Sequence, residues 1–295
     1  MALIPFDDRD GLIWLNGEMV EWRDAKTHTL SHGLHYASLV FEGERAYGGT
    51  IFAGADHTDR LRASSQMLDF DIPYSNEEVD AAKMAVLAAN NISDGYLRAF
   101  CWRGSEMMAI SAQQTKTHVA IAAWEWPSYF DPETKMRGIT LEIAKWKRPS
   151  PESAPVHAKA AGLYMICTLS KHEAEKKGFQ DALMLDYRGY IAEATGANVF
   201  FIDEEGTLHT PIPDCFLNGI TRQTVIRLAE TLQMKVVERH LQPEDMASMK
   251  ECFLTGTAAE VTPVAKIGDY SFTPSDACRQ LVTAYDDLVN GRISL

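Results

Sequence analysis

Between residues 126 and 138 the chain carries Pro127, Pro132 and scattered charges, and it keeps neither a helix nor a strand period. Such a stretch marks a junction rather than an element. In a chain of 295 residues it divides two domains of ordinary size. The expected division is a domain over 1–127, a linker over 128–138 and a domain over 139–295.

Both sides alternate strand-like and helix-like runs. Residues 12–22 read as a hairpin about Asn16-Gly17, a pair suited to a type I′ turn. Residues 56–70 read as a helix with Asp56 as N-cap and Leu61, Met67 and Leu68 turned inward. Ser75-Asn76-Glu77-Glu78 is a capping box opening a helix to about residue 90. Residues 96–103 form an expected strand with Tyr96, Arg98 and Phe100 on one face. The nearly continuous apolar run 117–124 suits a strand buried on both faces. Past the linker come a strand at 139–146, a Pro- and Ser-rich loop at 147–155, and a helix at 163–177 stopped by Gly178. A meander follows at 181–186, 190–192 and 197–202, and then a turn at Glu205-Gly206 into 208–209. Asn218-Gly219-Ile220-Thr221 opens a helix to about 233. Strands follow at 236–239 and 251–254, the latter breaking at Gly256-Thr257-Ala258-Ala259, and a helix at 274–290 closes the chain.

Composition excludes several function classes. The net charge is −13 and no basic stripe stands out, which argues against nucleic acid as a partner. Small anions must therefore be held by local cations. The five cysteines are scattered and lack a C-x-x-C pair, as expected of buried free thiols in a reducing compartment. The first ten residues lack a basic segment followed by an apolar core, and no apolar run approaches bilayer length. The expectation is a soluble cytoplasmic protein. His32 and His35 stand at helical spacing without a third ligand pattern, so no metal is expected and pocket wall or packing is their default role. No G-x-G-x-x-G follows an early strand, which removes a dinucleotide fold.

Lys159 lies in His157-Ala158-Lys159-Ala160-Ala161-Gly162-Leu163-Tyr164, among small residues that leave room for a flat, bulky group. A primary amine on a flexible stem suits a Schiff base with a carbonyl, although most lysines are simply exposed. If Lys159 carries an aldehyde cofactor such as pyridoxal phosphate, three further needs follow. A carboxylate must meet the pyridine nitrogen, main-chain donors must hold the phosphate, and a group must bond the phenolic oxygen. Glu193 lies among small residues between two expected strands. Gly219-Ile220-Thr221 opens a helix, and Gly256-Thr257-Ala258 is a second Gly-Thr turn. Arg60 is a cation for the phosphate, and Tyr164 a hydroxyl for the phenolic oxygen. Singly, each residue also suits a plain capping, turn or surface role.

Together these blocks resemble a family. His157-Ala158-Lys159, Glu193-Ala194-Thr195-Gly196-Ala197-Asn198, Leu217-Asn218-Gly219-Ile220-Thr221-Arg222 and Gly256-Thr257-Ala258-Ala259-Glu260 stand in the order and spacing of class IV aminotransferases, the fold type IV pyridoxal-phosphate enzymes. Tyr36-Ala37-Ser38-Leu39-Val40-Phe41-Glu42-Gly43-Glu44-Arg45 and Tyr96-Leu97-Arg98 are similar to branched-chain amino acid aminotransferases. The resemblance implies a two-domain α/β (α+β) fold, with a smaller N-terminal domain, a larger C-terminal domain with a pseudo-barrel sheet, and the cofactor between them. It implies Lys159 as the catalytic Schiff-base lysine, Glu193 at the pyridine nitrogen and Tyr164 at the phenolic oxygen. It places Arg60, Gly196, Gly219, Ile220, Thr221, Gly256 and Thr257 about the cofactor and its phosphate, with Leu217 against the ring.

The implied substrate pocket comprises Phe41, Gly43, Tyr96, Arg98, Trp126, Tyr129, Thr257 and Ala258. Tyr36 and Met108-Ala109-Ile110 would reach the neighbouring subunit's site in a homo-oligomer, a dimer or trimer of dimers. The implied reaction exchanges amino groups between leucine, isoleucine or valine and 2-oxoglutarate. An aromatic cage would suit the branched side chain, and Arg98 at its edge the second carboxylate. D-amino acid and (R)-amine transaminases share the cofactor site, but Tyr96-Leu97-Arg98 and Phe41-Glu42-Gly43 weigh against them. An aminodeoxychorismate lyase and a non-catalytic binding protein are weaker readings still, and the latter would dispense with Lys159 or Glu193. Three positions depart from the common branched-chain pattern: Leu163 stands for an Asn, Ala109 for a Gly and Glu44 for an aliphatic residue.

Overall fold

The computed structural model describes residues 4–126 and 135–295. Tyr129 and residues 128–134 of the expected linker lie outside the described residues. The chain folds as two units. One holds the described residues up to 126 together with Ala158–Gly162, the other residues 135–157 together with Leu163–Leu295.

The first unit is an antiparallel sheet with helices packed on it. Its elements are β1 (Leu12–Leu15), β2 (Glu18–Glu21), α1 (His32–Tyr36), β3 (Leu39–Phe41), β4 (Glu44–Tyr47), β5 (Thr50–Ile51), α2 (Gly54–Met67), α3 (Asn76–Ala89), β6 (Gly95–Arg103) and β7 (Thr117–Glu125). The strand order is β2-β1-β7-β6-β4-β5, with β3 also pairing with β6. Asn16 and Gly17 take φ of 52° and 101°, so both turn residues are left-handed, as the β1–β2 hairpin requires. The Ser75 hydroxyl accepts from the Glu78 N–H, and the Glu78 carboxylate accepts from the Ser75 N–H, which completes the capping box of α3.

In α2 the expectations need correction. The helix begins after Ala53, whose φ is 52°, and Asp56 falls in the first turn, where its charge complements the helix dipole without capping it. The buried stripe is His57, Thr58, Leu61, Ser64 and Ser65. Met67 falls outside that stripe and is 50% exposed. A buried polar stripe hides from hydrophobic periodicity, and here it faces charged groups described below.

The second unit is built on a closed ring of six strands. Its elements are β8 (Ile139–Ile143), α4 (Met165–Lys176), β9 (Asp181–Leu185), β10 (Ile191–Ala194), β11 (Asn198–Asp203), β12 (Leu208–Thr210), α5 (Ile220–Thr231), β13 (Val236–Glu238), β14 (Met249–Gly256), β15 (Glu260–Ile267), β16 (Tyr270–Ser271) and α6 (Asp276–Val289). The path β10-β9-β8-β15-β14-β11 closes through a β10–β11 pairing, so the ring leaves no free edge among its own strands. Its interior holds Leu141, Leu183, Ile191, Val199, Phe201, Leu254, Val264 and Ile267. Strand β15 carries Pro263 and was not anticipated from local pattern. It closes the ring by parallel pairing with β8, more than 100 residues away in sequence. Gly178 ends the helical segment at φ 87°, as expected. No helix among the described residues is long and apolar enough to cross a membrane.

Candidate active site

In the first unit, the Lys159 segment is laced to β3 and α2. The Phe41 N–H donates to the Lys159 carbonyl at 3.1 Å, Val40 and Ala160 form an antiparallel bridge, and the Lys159 N–H donates to Ser64 Oγ at 3.0 Å. Backbone bonds on both sides thus fix where the lysine stem begins. The half-buried side chain carries Nζ to 5.1 Å from the centre of the Phe41 ring.

The same ring lies 4.6 Å from the Arg98 guanidinium carbon, and Arg98 Nη2 donates to the Tyr96 hydroxyl at 3.2 Å. Tyr96 also packs at 5.5 Å on Trp126. Gly43 is buried, and a Cβ there would land on the Tyr96 hydroxyl. The structure therefore gathers Phe41, Gly43, Tyr96, Arg98, Trp126 and Lys159 into one aromatic-walled cluster with two cationic side chains. Tyr36, Met108 and Ile110 are exposed by 45%, 40% and 83%. Buried His32 ties their segments together: its ring packs at 4.6 Å on Tyr36, and its Nε2 donates to the Ala109 carbonyl at 2.9 Å. Since that carbonyl can only accept, His32 carries its proton on Nε2.

Glu42 and Glu44 flank Gly43, and both are fully buried. The Glu42 carboxylate receives Arg60 Nε and Nη2 and His57 Nδ1, each at 2.7 Å. Burial pushes its carboxyl up, but Arg60 and His57 outweigh that and hold it well below the usual carboxylate range. Glu44 lies 2.9 Å from the Nζ of Lys83, itself fully buried. Here burial wins and raises the carboxyl, with Lys83 opposing. The charge at position 44 is thus matched by a lysine from α3.

In the second unit Glu193 stands inside β10, not between strands as expected, and pairs in register with Asn198 of β11. Only 9% of it is exposed. Its Oε2 accepts from Asn198 Nδ2 at 3.2 Å, and its Oε1 lies 3.3 Å from Arg148 Nε. Asn198 Nδ2 also donates to the Leu217 carbonyl at 3.1 Å, and its Oδ1 occupies the place a Cβ on Gly219 would take. One amide side chain therefore links the acid to the segment that opens α5. Gly219 caps that helix without a side-chain bond, so the first N–H groups, at Ile220 and Thr221, point out of its N-terminus.

A second turn, 257–259, joins β14 to β15, and a Cβ on Gly256 would meet the Gly196 carbonyl at 3.3 Å. Thr257 and Ala258 sit in this turn. Arg148 Nη1 donates to the Leu163 carbonyl at 3.4 Å and lies 3.5 Å from Cys167 Sγ. Leu163 thus meets the arginine through its backbone, whatever its side chain. Tyr164 is half-buried.

These parts fit the chemistry of pyridoxal phosphate: an acid held by an arginine and an amide, an open helix N-terminus, and two glycine cradles with little space for a side chain. Asn198, Arg148, Glu42 and His57 had no assigned role from sequence. Asn198 and Glu42 fall inside the motif blocks, which was the available signal. Arg148 and His57 carried none, because only packing brings them to a carboxylate.

Comparison with known proteins agrees with this chemistry. A family model described as amino-transferase class IV matches residues 39–267. The chain is 42% identical over 294 residues to the branched-chain-amino-acid aminotransferase of Pseudomonas aeruginosa, covering 97% of this chain and 95% of that protein. Among solved structures, it superposes on the branched-chain aminotransferase of Thermoproteus uzoniensis with norvaline at a TM-score of 0.91 and 32% identity, covering 96% of each chain. The PLP-form of the branched-chain enzyme of Thermobaculum terrenum gives 0.87 at 29% identity, covering 96% of this chain and 95% of that one. With the family model spanning most of its length and these relatives nearly all of it, this chain belongs to the class IV aminotransferases.

Proposed function

We propose that this protein is a branched-chain amino acid aminotransferase, exchanging amino groups between leucine, isoleucine or valine and 2-oxoglutarate in two half-reactions. Its cofactor is pyridoxal 5′-phosphate, as in class IV aminotransferases. When bound, that group supplies an electron sink for the bond-breaking at the substrate α-carbon.

The chain's own residues do the rest. Lys159 would anchor the cofactor between turnovers, and its Nζ would move the proton between the substrate α-carbon and the cofactor's C4′. Glu193, oriented by Asn198 and Arg148, would keep the proton on the pyridine nitrogen. Tyr164 would bond the phenolic oxygen and Leu217 would pack against the ring. The N–H groups of Ile220 and Thr221, the Thr257 turn and Arg60 would hold the phosphate.

The observation that carries the substrate reading is the placing of Phe41 and Tyr96 against Arg98, with Trp126 packed on Tyr96. An aromatic wall suits a branched aliphatic side chain, and one guanidinium at that wall suits the distal carboxylate of the second substrate. The exposed Tyr36 and Met108–Ile110 segments support a homo-oligomer in which they complete a neighbour's site.

The test is a single-substrate half-reaction. Holoenzyme given L-leucine, L-valine or L-glutamate without an acceptor should lose its visible cofactor band and release the matching 2-oxo acid. Reaction with D-alanine or (R)-1-phenylethylamine in place of the L-amino acids would sink the assignment, as would full turnover by Lys159→Ala.

A further inference from the structure

We propose that Glu42 is the positioning residue for Arg60, and that it sets the protein's preference for a phosphorylated over an unphosphorylated cofactor. The inference rests on the reading above in which Arg60 holds the phosphate.

Glu42 is fully buried, beside Phe41 and Gly43. Its N–H donates to the Ala99 carbonyl of β6 at 2.7 Å, so its backbone is stitched to a central strand. Arg60 sits on α2 at the end of a long, flexible stem. The carboxylate takes two of the five guanidinium N–H donors side-on: Oε1 accepts from Nε and Oε2 from Nη2, each at 2.7 Å. Two parallel bonds fix the plane of a guanidinium as well as its position.

His57, one turn before Arg60 on α2, closes the arrangement. Its Nδ1 meets Oε2 at 2.7 Å, and an ionised carboxylate can only accept, so Nδ1 carries the proton. The carboxylate is thus pinned by a histidine and in turn pins an arginine. Ordering an arginine side chain opposes binding through lost rotamer freedom. Glu42 has already imposed that order before a phosphate arrives. Because its negative charge also offsets part of the field of Arg60, its contribution is orientation more than charge.

The experiment compares two ligands that differ by the phosphate alone. Apo-protein is titrated with pyridoxal phosphate and with pyridoxal, following the absorbance of the bound chromophore, and the ratio of the two dissociation constants is taken. Glu42→Gln should weaken binding of pyridoxal phosphate by about tenfold, the size of one charge-assisted contact, and shift pyridoxal by less than about twofold. In an Arg60→Ala background the same substitution should leave the ratio unchanged, because the arginine it orients is gone. An equal loss for both ligands, or an undiminished further fall in that background, would overturn the proposal. If Arg60→Ala alone leaves the ratio at the wild-type value, the phosphate reading of Arg60 fails, and this inference with it. Should Glu42→Gln fail to fold, Glu42→Asp keeps the charge but draws it one methylene away from the guanidinium. The ratio should fall there too, and a wild-type ratio would again overturn the proposal.

Discussion

Lys83 and Glu44 form an ion pair with no exposure on either side chain, at 2.9 Å. Lys83 Nζ also donates to Thr58 Oγ1 at 2.6 Å and to the Gly54 carbonyl at 3.2 Å. Lys83→Met keeps the stem volume and removes the cation. Glu44 is then left facing Glu42, which already belongs to Arg60 and His57. Breaking one side of a buried pair costs about 3–5 kcal/mol. At about 2–4 °C per kcal/mol, that lowers the melting temperature by roughly 6–20 °C.

The loss depends on pH with a definite sign. Burial already raises the Glu44 carboxyl, and Lys83 restrains that rise. A carboxyl raised on folding contributes stability below its unfolded value, and that contribution is lost as pH climbs through the folded one. Without Lys83 the folded value rises further, so the deficit of the variant should be largest at neutral pH. It should shrink as pH falls into the ordinary glutamate range, since a carboxyl raised by burial takes up its proton there with or without Lys83. The double variant Lys83→Met/Glu44→Ile should recover most of the loss or exceed the parent, since an apolar pair in place of a buried ion pair is often neutral or stabilising. Thermal and urea unfolding followed by tryptophan emission across pH gives the answer. A Lys83→Met protein within about 1 kcal/mol of the parent at neutral pH, or one with a pH-independent deficit, would refute this reasoning.

Two further outcomes are expected. Gly219→Ala should displace Asn198, which holds both Glu193 and the Leu217 carbonyl, and so weaken pyridoxal phosphate binding by about tenfold or more in a direct titration. All five thiols are free and buried, and burial pushes those of Cys101 and Cys278 up to about 12. Native protein should therefore resist a bulky thiol reagent at pH 8 and titrate fully only after unfolding.

Much of the fold was legible where the signal is local. The Asn16-Gly17 hairpin, the Ser75–Glu78 capping box, the α5 start at Gly219 and the stop at Gly178 all follow from what a few adjacent residues permit the backbone to do. Strand β15 was not legible, because it carries a proline and its place depends on a partner far along the chain. Met67 was misread because α2 buries serine, threonine and histidine on the face that faces charge. Among the site residues, Glu193 was singled out from its block, but its position within β10 and its partners were not legible there.

The sequence alone determined the family resemblance, the residue types offered to a cofactor, and the turns and caps that punctuate the elements. These depend on short-range sterics and on motifs whose order can be read along one line. Only the tertiary structure decided which charge meets which: Lys83 with Glu44, Arg60 and His57 with Glu42, and Arg148 and Asn198 with Glu193. A lysine or arginine in a sequence is by default a solvated surface group. It becomes a buried partner only when packing removes water from both members of the pair, and no local pattern records that event.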